Sequence, residues 1–284
     1  MFVKTPVGTA SAGVRRVTTT RQLRQLAGQY EEDGTFASGG VLVQQPVTGP
    51  LAMVQSVLAH GELIAFHAAQ RTREGAAGGA SHKLGIELPA VREHIRVLGA
   101  ALGWHGALSA DVILSPDGPQ FIDLNPRLVE PVNAAPSGVD LVSALLDVAR
   151  SGNSEPQPAG RPGVQTHQLL LAVLGAAQHG GRRRDVVRQL WAALSRRDGY
   201  RASAEELTPL HHDPLASLPV AIAATATLIQ PGTWHHFTSG SVEAYALTPA
   251  AWHQITQQAA TITSTPVPVI QASGGSRDPA HRLM

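Results

Sequence analysis

Apolar and polar positions alternate through the first half of the chain in short runs that Gly and Pro residues separate. Runs of this length, rich in aliphatic residues and bounded by turn formers, are typical of β-strands. They lie close together along the sequence. The predicted strands are Val41 to Gln45, Leu51 to Ala59, Leu63 to Ala69, Ala107 to Leu114 and Phe121 to Leu124.

Helical spacing appears between and after these runs. The pattern predicts helices from Thr20 to Glu32, from Ala90 to Leu102 and from about Gly138 to Arg150. Pro89 suits the first position of the second helix, and Gly103 suits its end. Strands clustered between helices predict the α+β fold class, with an antiparallel sheet and flanking helices.

The periodicity changes after a segment rich in Pro and Gly. Residues 151–163 predict a linker that closes a first domain, 1–150. We expect residues 164–262 to form a mainly helical region and residues 263–284, rich in Ser, Thr, Pro and Gly, to be a disordered tail. The predicted later helices are Thr166 to Gln178, Asp185 to Leu194, Leu215 to Ile229 and Ala250 to Ala260.

Composition and charge exclude several functions. The net charge is +1, which argues against a nucleic-acid partner. Without cysteine, the chain has no disulfide, thiolate zinc site or cysteine nucleophile. The first residues lack the pattern of a signal peptide, and the most apolar stretches fall short of a membrane span, so we expect a cytoplasmic protein with no membrane partner.

A candidate metal site lies on the hairpin predicted within Gly106 to Arg127. A five-residue loop of Ser, Pro, Asp, Gly and Pro would place Leu114 opposite Gln120 and Val112 opposite Ile122. The same register brings Asp111 opposite Asp123. Asn125 would project from the same face as Asp123, because side chains alternate along a strand.

Two opposed carboxylates repel each other unless a cation compensates them. Carboxylate and amide oxygens are ligands that suit Mg²⁺ with substrate phosphates. The other face, consisting of Val112, Leu114, Ile122 and Leu124, is aliphatic and is predicted to pack on the core. The alternative is that both acids lie on a solvated surface with no metal.

The N-terminal segment and several cations are further candidates. Lys4, followed by a loop with Gly8 and Gly13, can bind phosphate through backbone N–H groups, although a mobile surface loop has the same composition. Arg71 and Lys83 can bind a phosphate or carboxylate, or be solvated surface charges. His67 is interpreted as a sheet histidine with its hydrogen bonds satisfied rather than as a catalytic residue. Two histidine clusters, His211-His212-Asp213 and Trp234-His235-His236, are interpreted as loop residues.

The hairpin, together with Val129-Glu130-Pro131 and the segment Ser137 to Val142, resembles the metal-binding end of ATP-grasp enzymes, in the branch of biotin carboxylase and carbamoyl-phosphate synthase. The resemblance covers about residues 2 to 150. It implies that Asp111, Asp123 and Asn125 hold Mg²⁺, with Mn²⁺ as an alternative, and that Arg127 lies at the active centre.

The same resemblance implies the nucleotide site. Lys4 matches the family's strand-borne lysine, and Ser11, Ala12 and Gly13 match its flap over ATP. Gln44, Gln45 and Val47 match the hinge at adenine, although Gln44 and Gln45 also fit an ordinary strand end. Lys83 would also contact the nucleotide. Leu51 departs from the pattern, since many members have an acid there that binds ribose.

The implied activity is an ATP-dependent carboxylate ligase acting through an acyl phosphate. Its partners would be a small carboxylic acid and an amine or other nucleophile, with Arg71 and Arg127 stabilising the transferred charge. The domain that usually precedes the Lys4 strand is missing, so we expect a homo-oligomer or a partner chain that supplies it. The alternative is a non-catalytic nucleotide-binding module derived from such an enzyme.

Overall fold

The computed structural model describes residues 1–5, 13–37, 39–152, 154–207 and 213–238. Within this part, the chain divides into two compact units, Met1–Gln44 and the residues from Gln45 onward. The predicted helix Ala250 to Ala260, the predicted tail and the histidines at 211 and 212 lie outside the described residues.

The first unit is a small antiparallel sheet with one helix. Its strands β1 (Phe2–Lys4), β2 (Val14–Arg16) and β3 (Leu42–Gln44) have the order β2-β1-β3. Helix α1 (Thr20–Glu32) has the predicted bounds and begins with a capping box, in which Thr19 and Gln22 each bond to the other's backbone. Its core consists of Val3, Val17, Leu26 and Tyr30.

The second unit is built on a sheet of seven strands in the order β10-β9-β6-β5-β4-β7-β8. Neighbouring strands are antiparallel, except for the parallel pair of β9 and β10. Its elements are β4 (Leu51–Ala59), β5 (Glu62–Glu74), β6 (Ala80–Gly85), α2 (Pro89–Leu102), β7 (Gly106–Ser115), β8 (Gly118–Asn125), α3 (Leu141–Ser151), β9 (Gln165–His167), α4 (Leu169–Gly180), α5 (Arg183–Leu194), β10 (Ser203–Glu205) and α6 (Ser217–Ile229).

Helices cover both faces of this sheet. Helix α2 begins with Pro89, ends at Gly103 in the left-handed conformation, and buries Val91 and Ile95 against one face. Helix α3 buries Leu141, Ala144 and Val148 against one end of the other face. That second face is left polar toward β6, β7 and β8. The α+β class predicted from the sequence is confirmed.

The region after residue 163 is less purely helical than predicted. The expected helix from Thr166 begins instead at Leu169, because Gln165–His167 forms β9 and pairs with β6. Strand β10 was not predicted. The predicted linker lies along the sheet, where Gln157 N donates to Ile64 O (2.7 Å) and Gly163 N donates to Gly85 O (2.8 Å).

Helices α4, α5 and α6 pack on one another through a small apolar cluster that includes Val173, Val186 and Ala224. The helical prediction for this region is therefore partly confirmed. No helix in the described ranges has both the length and the apolar character needed to cross a membrane.

Candidate active site

The hairpin of β7 and β8 has a tighter turn than predicted. Ser115 pairs with Gly118, so the loop has two residues, Pro116 and Asp117, and the predicted five-residue loop is wrong. Gly118 has a φ of +111°, which is accessible to glycine and strained for other residues. This turn places Leu114 opposite Pro119 rather than Gln120.

A β-bulge at Ile122 then shifts the register by one residue. Val112 pairs with Phe121 and Asp111 pairs with Asp123, which leaves Ile122 as the extra residue. The predicted opposition of Asp111 and Asp123 is thus confirmed, although the turn from which it was predicted is wrong. Without the bulge, the turn seen here would place Asp111 opposite Ile122.

The bulge also changes which side chains reach the core. Val112 is fully buried beneath α2, and Phe121 packs beside it in the position predicted for Ile122. Leu124 is 47% exposed, so the predicted aliphatic face does not extend to the end of β8. The expectation that Ile122 and Leu124 pack on the core is wrong, because an extra residue rotates Phe121 inward.

Asp111 and Asp123 form, with Asn125, a group that we call the acidic hairpin. Burial, and after it the charges of Asp123 and Glu130, raise the pKa of Asp111 to about 6 against the opposing effect of Arg71. Asn125 Nδ2 donates a hydrogen bond to Asp123 Oδ2 (3.0 Å), so the amide lies on the face predicted for it. The site has an excess of negative charge.

These residues fit a hard divalent cation. Two facing carboxylates that disfavour joint ionisation are stabilised by a cation between them, and the Asn125 amide adds an oxygen donor. Mg²⁺ commonly uses one or two carboxylates and completes its shell with water and phosphate. Within the described ranges, no group of three His, Cys, Asp or Glu side chains is arranged to hold a metal.

A second polar group lies on the same face of the sheet. Lys83 is fully buried, and its Nζ lies 2.5 Å from Glu206 Oε2 and 2.7 Å from Glu130 Oε2. Gln168 Nε2 donates to Glu130 Oε1 (2.9 Å) and to Glu206 Oε2 (2.8 Å). We call these four residues the lysine network. Glu130 is partly accessible, with 29% of its side chain exposed.

Gln55 on β4 holds the segment that joins the two groups. Its Nε2 donates to Glu130 O (2.8 Å) and Asn133 Oδ1 (3.2 Å), and its Oε1 accepts from the backbone N–H groups of Val129 (3.2 Å) and Glu130 (3.0 Å). Ser109 Oγ donates to Arg127 O (2.7 Å). These bonds position Glu130 between the acidic hairpin and Lys83.

Sequence reasoning did not identify Glu130, Gln168 or Glu206 as site residues. The motif Val129-Glu130-Pro131 carried part of the family resemblance, but its role was not assigned. Gln168 and Glu206 approach Lys83 only because β9 pairs with β6 and β10 follows β9. No local spacing in the sequence indicates those contacts.

The two arginines predicted to act in catalysis are also in this unit. Arg71 pairs with Lys83 across β5 and β6, and its Nη1 lies 2.7 Å from Gly78 O and 3.3 Å from Glu74 Oε2. Arg127 follows the acidic hairpin and is exposed. Gln45 is exposed and Val47 is half-buried ahead of β4.

The remaining predicted nucleotide residues belong to the first unit. Lys4 pairs with Val14 and Leu42 in its sheet, and Gln44 pairs with Phe2. Gly13 O accepts a hydrogen bond from Thr5 N (2.9 Å). Ser11 and Ala12 lie outside the described residues. The roles of all these residues stay predictions.

The histidines at 235 and 236 lie in a 3₁₀ segment, Pro231–Phe237, with ring centroids 3.9 Å apart. His67 is buried in the sheet, as predicted, but its Nε2 has no hydrogen-bond partner among the described residues, so the expectation that the ring is satisfied is wrong at that atom.

Neither a protein-family model nor a curated protein sequence matches this chain. Solved structures similar to it include the biotin carboxylase domain of Hydrogenobacter thermophilus 2-oxoglutarate carboxylase, in complex with MgADP, ADP and bicarbonate (19% identity, TM-score 0.45, 58% of this chain and 39% of that chain). The L-amino acid ligase of Bacillus licheniformis has 19% identity and a TM-score of 0.42, over 58% of this chain and 44% of the ligase. The phosphoribosylamine–glycine ligase of Thermotoga maritima has 18% identity and a TM-score of 0.41, over 58% of this chain and 47% of the ligase.

All three are ATP-grasp proteins, the superfamily that the hairpin motif resembles. This chain spans less than half the length of each of them. At these identities and TM-scores the similarity does not establish a shared activity.

Proposed function

We propose that this chain is an ATP- and Mg²⁺-dependent carboxylate ligase of the carboxylate–amine or carboxylate–thiol type. The opposition of Asp111 and Asp123, with Asn125 on the same face, is the observation that carries the proposal. Such a pair favours a bound cation, and Mg²⁺ with nucleotide phosphates is the cation that suits two carboxylates and an amide. The motif resemblance to ATP-grasp enzymes supports the same reading.

In the proposed reaction, a substrate carboxylate oxygen attacks the γ-phosphorus of ATP and the bond to ADP breaks, giving an acyl phosphate. An amine or thiol then attacks the acyl carbon, phosphate leaves and the nucleophile loses its proton. When bound, Mg²⁺ would supply positive charge that stabilises the transferred phosphoryl group.

The residues of this chain supply position and charge. Arg127 and Arg71 lie on either side of the acidic hairpin in sequence, and their guanidinium groups suit a phosphate or a carboxylate. The lysine network presents the partly exposed Glu130 on the same face, held by Lys83 and by Gln55. We assign Glu130 the role of orienting the second substrate, the amine or thiol that attacks the acyl phosphate, through its positive charge or its proton.

Mg-nucleotide binding is tested by thermal unfolding of the full chain. Because a ligand that binds the folded state stabilises it by mass action, Mg-ATP should raise the unfolding temperature. Asp123→Ala should abolish this rise. Asp117→Asn is the matched control, since Asp117 is an exposed acid in the turn of the same hairpin and should leave the rise intact. Absence of a rise in the parent chain at saturating Mg-ATP would refute the metal site.

Catalysis is tested separately by measuring nucleotide products against a panel of carboxylic acids. A ligase of this type should release ADP and phosphate only when an acid substrate is present. AMP and pyrophosphate would contradict attack at the γ-phosphorus. Arg127→Lys should lower turnover much more than Mg-ATP affinity, because the planar fork is lost while the charge stays. Mg-ATP binding without turnover by any acid would favour the binding module.

A further inference from the structure

A cavity of about 730 Å³ lies at the edge of β5, next to the start of α2. Its wall is mainly apolar, with Leu63, Ile86 and Leu88 among its lining residues. No member of the acidic hairpin or the lysine network lines it. Its size and apolar character are those of a small-molecule site.

The cavity lies where, within the described part of the chain, β5 has no neighbouring strand on one side. Pairing of β6 with β5 stops at Ala69, and nearer the start of β5 the chain crosses this edge at two single bonds. Ile86 N donates to Ala68 O (3.0 Å), and Gln157 N donates to Ile64 O (2.7 Å). At about 3.3 Å per residue, the two bonded carbonyls are about 13 Å apart along β5.

Phe66 lies between those two carbonyls, and its backbone points into the gap. Along an antiparallel strand, the N–H and C=O of one residue point to one side and those of the next residue point to the other. Because Ile64 and Ala68 bond across the open edge, Phe66, two positions from each, presents both of its groups to that edge. Neither group has a hydrogen-bond partner among the described residues. The edge therefore offers one donor and one acceptor to a ligand in the cavity.

A donor and an acceptor on one residue match the N–H and C=O of a single extended amino-acid residue. Paired residues of an antiparallel ladder exchange two hydrogen bonds in this way, and exposed sheet edges bind peptides by the same pairing. The crossings at Ile86 and Gln157 close the edge at both ends. A gap of about 13 Å therefore has room for one residue with blocked ends, but not for a longer strand.

The charges around the mouth cancel. Arg96 is occupied by Glu93, through bonds of 2.6 and 2.8 Å. The other charged side chains of the lining are two arginines and two glutamates, Arg92, Arg161, Glu62 and Glu87. A balanced rim around an apolar wall suits an uncharged ligand with an apolar side chain.

We propose that this cavity binds a small, uncharged amino-acid derivative, with both ends blocked as amides, that pairs with the backbone of Phe66. The ligand N–H donates to Phe66 O, and a ligand C=O accepts from Phe66 N. The apolar side chain of the ligand packs on the wall of the cavity. An analogue without the N–H leaves Phe66 O unpaired and binds more weakly.

The matched probes are N-acetyl-leucinamide and its ester analogue, in which an oxygen replaces the N–H of the leucine. Titration of the full chain, followed by its NMR spectrum, should show the amide binding about tenfold or more tightly than the ester. Asp123→Ala and added Mg-ATP should leave binding of the amide unchanged, since no residue of the acidic hairpin lines the cavity. Equal affinities for the two probes would overturn the proposal.

The backbone N–H of Phe66 reports on the contact directly. The chain has five phenylalanines, so isotope-labelled phenylalanine gives few amide signals, and Phe66→Leu identifies the signal of position 66. N-acetyl-leucinamide should shift that signal and slow its hydrogen exchange, because the N–H gains a bond. Phe237, which follows α6, is the internal control and should keep its signal. A Phe66 signal that stays in place at saturating amide would overturn the pairing.

A further variant tests the location without altering Phe66. Ala159 is exposed and lines the cavity, so Ala159→Trp should fill the mouth and abolish binding of N-acetyl-leucinamide. Ala149→Trp, on the exposed side of α3, is the control and should bind the amide like the parent. Unchanged binding by Ala159→Trp would show that the ligand lies elsewhere and would contradict the proposal.

Discussion

The acidic hairpin and the lysine network lie on the same face of one sheet but differ in electrostatics. The hairpin brings two carboxylates together, whereas the network places a lysine between two carboxylates. In the hairpin, Asp111 and Asp123 face each other across neighbouring strands, and within the described part of the chain neither forms an ion pair with a cationic side chain. In the network, Lys83 is fully buried and its ammonium contacts two carboxylates. One of them, Glu206, is 123 positions away in sequence. The acidic hairpin therefore carries negative charge without an ion pair among the described residues, whereas the lysine network pairs its carboxylates with the Lys83 ammonium.

This difference indicates different roles. A buried charge with oppositely charged partners on two sides is held in one arrangement. Moving either partner away would leave the buried charge without compensation in an apolar environment, which is costly. Two opposed carboxylates are instead destabilising until a cation arrives. The lysine network is therefore suited to position residues, and the acidic hairpin is suited to bind a ligand.

The largest effect is expected from Lys83→Met. Removing the ammonium leaves Glu206, with only 2% of its side chain exposed, as an unpaired buried charge. Breaking a buried ion pair from one side costs about 3 to 5 kcal/mol of the free energy of unfolding. Chemical denaturation measures this loss.

The double variant Lys83→Met with Glu206→Gln is the control for that prediction. It removes the stranded charge together with its cation, so it should recover a large part of the lost stability. A single variant that loses less than about 1 kcal/mol would show that Lys83 is not held as a buried pair and would remove the contrast between the two regions.

A smaller loss is expected from Gln55→Leu. The substitution keeps the volume but deletes four hydrogen bonds that anchor the segment around Glu130. Stranded buried backbone groups cost about 2 to 3 kcal/mol in total. Gln120→Leu, at an exposed position of β8, should change the free energy of unfolding by less than about 0.5 kcal/mol. Similar losses in the two variants would mean that Gln55 is not an anchor.

The hairpin could be predicted from the sequence because the residues that define it are close together along the chain. Alternating residues, a turn composition and Asn125 two positions after Asp123 define one face, although the two-residue turn and the bulge at Ile122 were both missed. Those two errors offset each other, since each moves the register by one residue in opposite directions. The opposition of the acids was thus predicted correctly from a wrong loop.

The lysine network could not be predicted in that way. It depends on β9, a strand of three residues that directly precedes α4, and on β10, which follows two further helices. Short strands of this kind have no periodicity to detect, and their pairing with β6 is decided by packing of the whole unit. Lys83 was therefore expected to meet a ligand, while its two glutamate partners were not identified.

An effect of opposite sign is expected from Asp111→Asn. Because the folded state raises the pKa of Asp111 from 3.8 to about 6, it binds this proton more readily than the unfolded chain does. The free energy of unfolding therefore falls as pH rises from about 4 through 6. With a chelator present at pH 7.5, Asp111→Asn should be more stable than the parent, by at most about 3 kcal/mol.

The pH dependence separates this cause from a simple change in packing. Denaturation curves collected in chelator from pH 4 to 7.5 should show the advantage of Asp111→Asn shrinking as the parent's carboxyl becomes protonated, to about 0.5 kcal/mol near pH 4. Asp117→Asn, in the exposed turn, should follow the parent at every pH. An advantage that is constant across this range would show that ionisation of Asp111 is not what destabilises the hairpin, and the case for a cation at this site would lose its electrostatic basis.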